Sequence, residues 1–142
     1  MDAKSHWEKI YKTKTADTVS WYLPHLETSL ALIARSGTGL SSSIIDVGGS
    51  ESTLVDDLVK RGYQNVTVLD ISETAINVSK QRIGEAANKV HWLVADVLAA
   101  ELKPSAYDGC LACCSISSKR CTKRASHWSA RGWTRESCGF GQ

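Results

Sequence analysis

The chain has 142 residues, of which 42% are hydrophobic and 23% charged, with a formal net charge of +2. That length and balance suit a single domain around one core. A charge so close to neutral gives no reason to expect a nucleic-acid partner, and no apolar run approaches membrane-spanning length, so no membrane partner is expected either.

Met1 to Glu8 shows no basic start followed by an apolar core, so a secretory signal is not expected and a cytoplasmic location is the default. Residues 5–12 are predicted to form a short helix, because Trp7, Ile10 and Tyr11 recur at i, i+3 and i+4. Ser5 is its expected N-cap, with Glu8 completing a capping box. Thr13 to Ser20 reads as a polar loop, and Trp21-Tyr22-Leu23-Pro24 as an aromatic stop. A helix over about residues 25–36 would place Leu26, Leu30 and Ile33 on one face and end at Gly37. Residues 1–38 are thus expected to be an N-terminal cap.

Ser43 to Val47 is a short apolar run closed by Gly48-Gly49, which reads as a buried strand. Ser52 or Thr53 then caps a helix with Leu54, Val55, Leu58 and Val59 inward, ended by Gly62. Asn65 to Leu69 is a second strand, rich in β-branched residues, that stops at Asp70. Ser72 caps a further helix with Ala75, Ile76, Val78 and Ile83 inward, and Val90 to Val94 is a third strand ending at Ala95-Asp96. Strands alternating with helix-length spacers predict an α/β fold, a mostly parallel sheet between two helical layers. Ligands of such sheets bind beyond the carboxyl ends of the strands. Asp46, Asp70 and Asp96 all stand at those ends.

The glycine turn alone leaves a dinucleotide and S-adenosylmethionine both open. No Lys or Arg occurs between Ser36 and Val59, while Asp46, Glu51, Asp56 and Asp57 are acidic. A pyrophosphate would meet repulsion from Glu51 where it needs bare N–H groups. The sulfonium and ammonium of S-adenosylmethionine would be attracted instead. Asp70 can accept two hydrogen bonds from ribose hydroxyls, and Asp96 can accept from the adenine amino group, with Val97 beside the ring.

Ile44-Ile45-Asp46-Val47-Gly48-Gly49-Ser50-Glu51-Ser52 resembles motif I of class I S-adenosylmethionine-dependent methyltransferases. Val68-Leu69-Asp70-Ile71-Ser72 resembles the family's second motif, Ala95-Asp96-Val97 its third, and Ala106-Tyr107-Asp108 the start of its fourth. His6-Trp7-Glu8-Lys9-Ile10-Tyr11 with Ser20-Trp21-Tyr22 is similar to the N-terminal segment of small members. The resemblance covers roughly residues 5–108. It implies a Rossmann-like three-layer sandwich, S-adenosylmethionine as cofactor, and a cofactor site of Asp46, Gly48, Gly49, Ser50, Asp70, Ile71, Asp96 and Val97. It also implies methyl transfer to an acceptor the residues do not identify, a small molecule or a protein. No residue is assigned as a general base, and no metal site is expected. Ser50 and Ser52 stand where the family often has glycine.

After Asp108 the pattern changes. Residues 1–108 hold 11 Lys and Arg against 14 Asp and Glu, with no cysteine, whereas residues 109–142 hold six Lys and Arg, one acid (Glu136) and all five cysteines. The later segment keeps neither a period of 2 nor one of 3.6. The expectation is a cofactor-binding domain over 1–108, truncated on the C-terminal side of its sheet, followed by a poorly ordered tail over 109–142 and weak or absent activity.

Bland readings stand beside these. Asp46 could be a structural strand-end acid, Asp70 part of a helix cap with Ser72, and Asp96 a turn residue. Trp7, Tyr11, Trp21 and Tyr22 could cap a cleft or simply pack on the sheet. His6, His25 and His91 have no metal-selecting spacing. Cys110, Cys113, Cys114 and Cys121 lack a second ligand pair at zinc spacing, so free thiols are the expectation. Three functions remain open: a methyltransferase, a non-catalytic cofactor-binding or interaction fragment, and a nicotinamide-dependent oxidoreductase. The oligomeric state is not legible.

Overall fold

The structure, a computed structural model, describes residues 2–13, 27–49, 53–97, 99–102 and 106–112, with Thr28 and residues 109–112 described by backbone alone. The expectations for Trp21, Tyr22, His25, Leu26, Ser50, Glu51, Ser52 and residues 113–142 lie outside these.

The first helix, α1, spans Ala3–Thr13. It begins two residues earlier than the capping-box reading placed it, because Asp2 is the cap. The Asp2 carboxylate accepts from the Ser5 backbone N–H and hydroxyl, both at 2.9 Å. An N–H and an O–H donor on one acid hold the Asp2 carboxyl below its ordinary range, with the backbone bond the larger cause. Glu8 is thereby released from the box and points elsewhere. Helix α2 (Glu27–Arg35) buries Leu30 and Ile33 and gives way to Gly37 at φ +72°.

Four strands follow: β1 (Ser43–Val47), β2 (Asn65–Asp70), β3 (Val90–Val94) and β4 (Gly109–Ala112). Helices α3 (Leu54–Lys60) and α4 (Glu73–Ile83) connect the first three, with a 3₁₀ stretch over Gly84–Lys89. The sheet order is β3-β2-β1-β4, and every pairing is parallel. β1 and β2 are buried on both faces, which is why they read as near-continuous apolar runs. Among the described residues β3 is an edge strand, and its His91, Leu93 and Val94 are exposed while Val90 is buried.

One face of the sheet carries the larger core. Ile44, Val66, Val68 and Val90 meet Leu30 and Ile33 of α2 and Leu54, Val55 and Leu58 of α3, with Ile83 of α4 at the margin. α3 and α4 are also joined by a bidentate ion pair between Asp56 and Arg82, at 2.8 Å. Both crossovers thus lie on one face, as right-handed βαβ units running β1 to β2 to β3 require. The opposite parity positions, Ile45, Val47 and Leu69, pack under Val97, Ala100, Leu102 and Tyr107. That covering segment is not helical, so among the described residues the second layer is a loop. The architecture is α/β and Rossmann-like, with its described sheet ending at β4.

Two sequence expectations change. Val78 of α4 is 39% exposed, and the inward position is Ser79 instead. The buried set Ala75, Ile76, Ser79 follows one helical stripe, and Val78 falls beside it. The segment boundary expected at Asp108 also falls immediately before β4, whose residues Gly109 to Ala112 pair with Ile44 to Val47. Asp108 is part of that pairing: its N–H donates to the Ser43 carbonyl and its carboxylate accepts from the Ser43 N–H, both at 2.8 Å. Four residues of the segment read as a tail therefore belong to the sheet.

Candidate functional site at the strand ends

The parallel register brings the carboxyl ends of β1, β2 and β3 to one edge, with Val47 level with Leu69 and Asp70 level with Val94. Neighbouring strands lie about 4.8 Å apart, so acids at the three ends span roughly 10 Å.

β1 delivers Asp46 and the glycine turn. Gly48 donates its N–H to the Leu69 carbonyl at 2.7 Å and then turns at φ +70°, a conformation that glycine adopts without a Cβ penalty. Gly49 is needed for a different reason. It is buried, and a Cβ built on it would fall inside the Asp46 carboxylate, 2.6 Å from Oδ1. Asp46 itself is fully buried. The turn backbone therefore rests directly on a carboxylate, with nothing between them that a side chain could occupy.

β2 delivers Asp70, 3% exposed. Its Oδ1 accepts from the Ser72 N–H at 2.9 Å, and its backbone carbonyl accepts from Ala95 N–H at 2.9 Å, which ties the turn after β3 to the end of β2. Ser72 is the N-cap of α4, accepting from the Ala75 N–H at 3.2 Å. The capping role and the strand-end acid are thus separate residues. Ile71 between them is half-buried.

After β3, Asp96 is half-buried, and its carbonyl accepts from Ala99 and Ala100 N–H at 3.0 and 2.8 Å. Val97 is half-buried and packs on the second core face against the Ile45, Val47 and Leu69 group. Ser50 lies outside the described residues. Trp7 stacks on Tyr11 at 5.9 Å within α1, and α1 packs mainly on α4.

Sequence reasoning missed Glu8. Its Oε1 accepts from the Ser72 hydroxyl at 3.0 Å and from the Thr74 N–H at 3.3 Å, and its Oε2 accepts from the Thr74 hydroxyl. The Thr74 hydroxyl bond is the largest cause of a carboxyl held below its ordinary range, against a smaller desolvation effect. No local pattern could reveal a partner 64 residues away.

A family model described as a methyltransferase domain matches residues 44–130, more than half of the chain and past Asp108. The eEF1A lysine and N-terminal methyltransferase of Mus musculus is 26% identical over 102 residues, covering 72% of this chain and 14% of that protein. The EEF1A lysine methyltransferase 2 of Mus musculus is 23% identical over 120 residues, covering 78% of this chain and 49% of its own length. The chain thus spans about half, or less, of these curated relatives. Among solved structures, Haemonchus contortus phosphoethanolamine N-methyltransferase 1, in complex with phosphoethanolamine and S-adenosylhomocysteine, aligns at TM-score 0.56 and 16% identity over 93% of this chain and 29% of that one. The MccD protein aligns at TM-score 0.53 and 19% identity, over 72% of this chain and 47% of its own. These likenesses are of fold.

Proposed function

We propose that this chain, which belongs to the methyltransferase domain family, binds S-adenosylmethionine across the carboxyl ends of β1, β2 and β3 and serves methyl transfer to a nucleophile. The observation that carries the reading is the glycine turn pressed onto the buried Asp46, on the same sheet edge as the acids that end β2 and follow β3. That cradle suits a cationic cofactor: it approaches closely through backbone, and it is acidic. When bound, the cofactor supplies an electrophilic methyl on a sulfonium.

In this reading Gly48, Gly49 and Ser50 line the methionine end, and Asp46 sets the negative potential beneath them. Asp70, flanked by Ile71, accepts hydrogen bonds from ribose hydroxyls. Asp96 accepts from the adenine amino group and Val97 borders the ring. The chain contributes orientation, which is the dominant requirement for an in-line transfer. No side chain described here is assigned as a general base. Residues 1–38 act as the cap, and the location is cytoplasmic. The acceptor class to test first is a protein amine, because the two mouse relatives carry lysine in their names. A second reading is a cofactor-binding fragment without turnover of its own.

Calorimetric titration with S-adenosylmethionine, S-adenosylhomocysteine and NAD tests the assignment. Binding of the first two in preference to NAD is expected. Tighter binding of NAD would replace this reading by an oxidoreductase one. Methyl transfer to a protein amine by the cofactor-binding chain separates the enzyme from the fragment.

A further inference from the structure

Glu8 reaches from the N-terminal helix to the turn that carries Asp70. The connection is a chain of hydrogen bonds. Asp70 Oδ1 accepts from the Ser72 N–H, the Ser72 hydroxyl donates to Glu8 Oε1, and the same hydroxyl accepts from Ala75 N–H. Thr74 adds its N–H and its hydroxyl to the two Glu8 oxygens. One carboxylate thus engages the Ser72 and Thr74 hydroxyls and a first-turn N–H of α4 that has no carbonyl partner within the helix.

The apolar side of α1 is only partly buried. None of its residues is fully buried, and its aromatic pair, Trp7 and Tyr11, is half-buried. A helix held with so little apolar burial docks mainly through specific polar bonds, and such elements open at low free-energy cost. Glu8 also stands at the positive end of α4, where a carboxylate is favoured.

We infer that Glu8 is a positioning residue for the cofactor, pinning the Asp70–Ser72 turn in its binding conformation and so coupling the docking of α1 to occupancy of the ribose end of the site. This rests on the S-adenosylmethionine reading given above. The physical basis is linkage. If the turn binds ribose best when Ser72 is held, cofactor and α1 favour the same state, and each strengthens the other by the same factor. A carboxylate that merely stabilised α4 would change folding stability and leave cofactor affinity untouched.

The test uses the full chain, calorimetry with S-adenosylhomocysteine, and hydrogen exchange. Glu8→Ala is expected to weaken binding about tenfold, the scale of a lost hydrogen bond to a charged group. Glu8→Gln keeps an acceptor for Ser72 and should recover most of that loss. Thr74→Ala should weaken binding by itself but add little in the Glu8→Ala background, since both remove the same contact. Exchange in residues 3–13 should slow on adding S-adenosylhomocysteine to the unmodified chain and not to Glu8→Ala. Unchanged exchange in β1 and β2 verifies the fold; if Glu8→Ala does not fold, the affinities of Glu8→Gln and Thr74→Ala decide. A lower melting temperature with unaltered affinity overturns the coupling alone. An unmodified chain that binds no S-adenosylhomocysteine overturns the cofactor reading and the coupling together.

Discussion

Gly49→Ala is the substitution whose outcome the geometry constrains most tightly. The new Cβ would occupy the space of the Asp46 carboxylate, and both residues are buried, so neither can move into solvent. Something in the β1 end must shift. Overpacking of this kind costs about 1–3 kcal/mol, which for a domain near 100 residues corresponds to a fall in Tm of about 4–12 °C. The cause predicts its own suppressor. Asp46→Ala removes the atoms that the Cβ meets, so the double variant should be less destabilised than the two single losses added together, by about 1–2 kcal/mol. Gly48→Ala provides the contrast. Its penalty comes from φ +70°, not from the carboxylate, so Asp46→Ala should not relieve it. Urea unfolding followed by circular dichroism measures the parent, the three single variants and the two double variants. Additive losses for Gly49→Ala and Asp46→Ala, or a Gly49→Ala chain as stable as its parent, would show that the turn does not rest on Asp46.

Asp70→Ala should weaken S-adenosylhomocysteine binding more than Asp57→Ala, by about 1.5–3 kcal/mol for lost charge-assisted bonds; equal effects by calorimetry would misplace the ribose contact. Ser79 is fully buried and its hydroxyl has no hydrogen-bond partner among the described atoms, so Ser79→Ala should leave the chain as stable or raise stability by about 1 kcal/mol in the same unfolding assay. Glu8 has a pKa lowered by folding, so its stabilising effect is complete above its ordinary value of 4.5 and is lost as pH falls through the lowered value. The stability gap between the unmodified chain and Glu8→Gln should therefore close in acid, as read by thermal melts across pH; Lys4, Lys9 and Lys12 line the groove beside Glu8.

The alternation of elements was legible because each signal is local. Ser43–Val47 and Asn65–Asp70 are apolar, β-branched runs bounded by turn residues, and these strands form where the pattern predicts. Ser72 caps α4 as expected, since a cap depends on residues within one turn. The same locality misled at α1. Ser5 and Glu8 have capping-box spacing, but Asp2 sits one turn ahead of Ser5 and its carboxylate takes both Ser5 donors. Near β4 only Ala106-Tyr107-Asp108 was legible, as a stretch resembling the start of the fourth motif; the strand that follows it was not. Gly109 to Ala112 has weak intrinsic strand character, and it becomes a strand because β1 offers an unpaired ladder.

By itself the sequence determined which residues could occupy the strand ends. Chain order and residue type place Asp46, Asp70 and Asp96 after successive strands, and the absence of Lys and Arg from 37–58 makes that edge acidic whatever the packing. Only the tertiary structure decided how those residues meet. That β2 and β4 flank β1, that Ser79 and not Val78 faces inward, and that Glu8 closes on Ser72 and Thr74 are all contacts between segments distant in the chain or settled by a rotation of a helix about its axis. Their energies arise when surfaces meet. Composition and periodicity describe each segment before it has a neighbour, so they carry the chemistry of the site but not its connections.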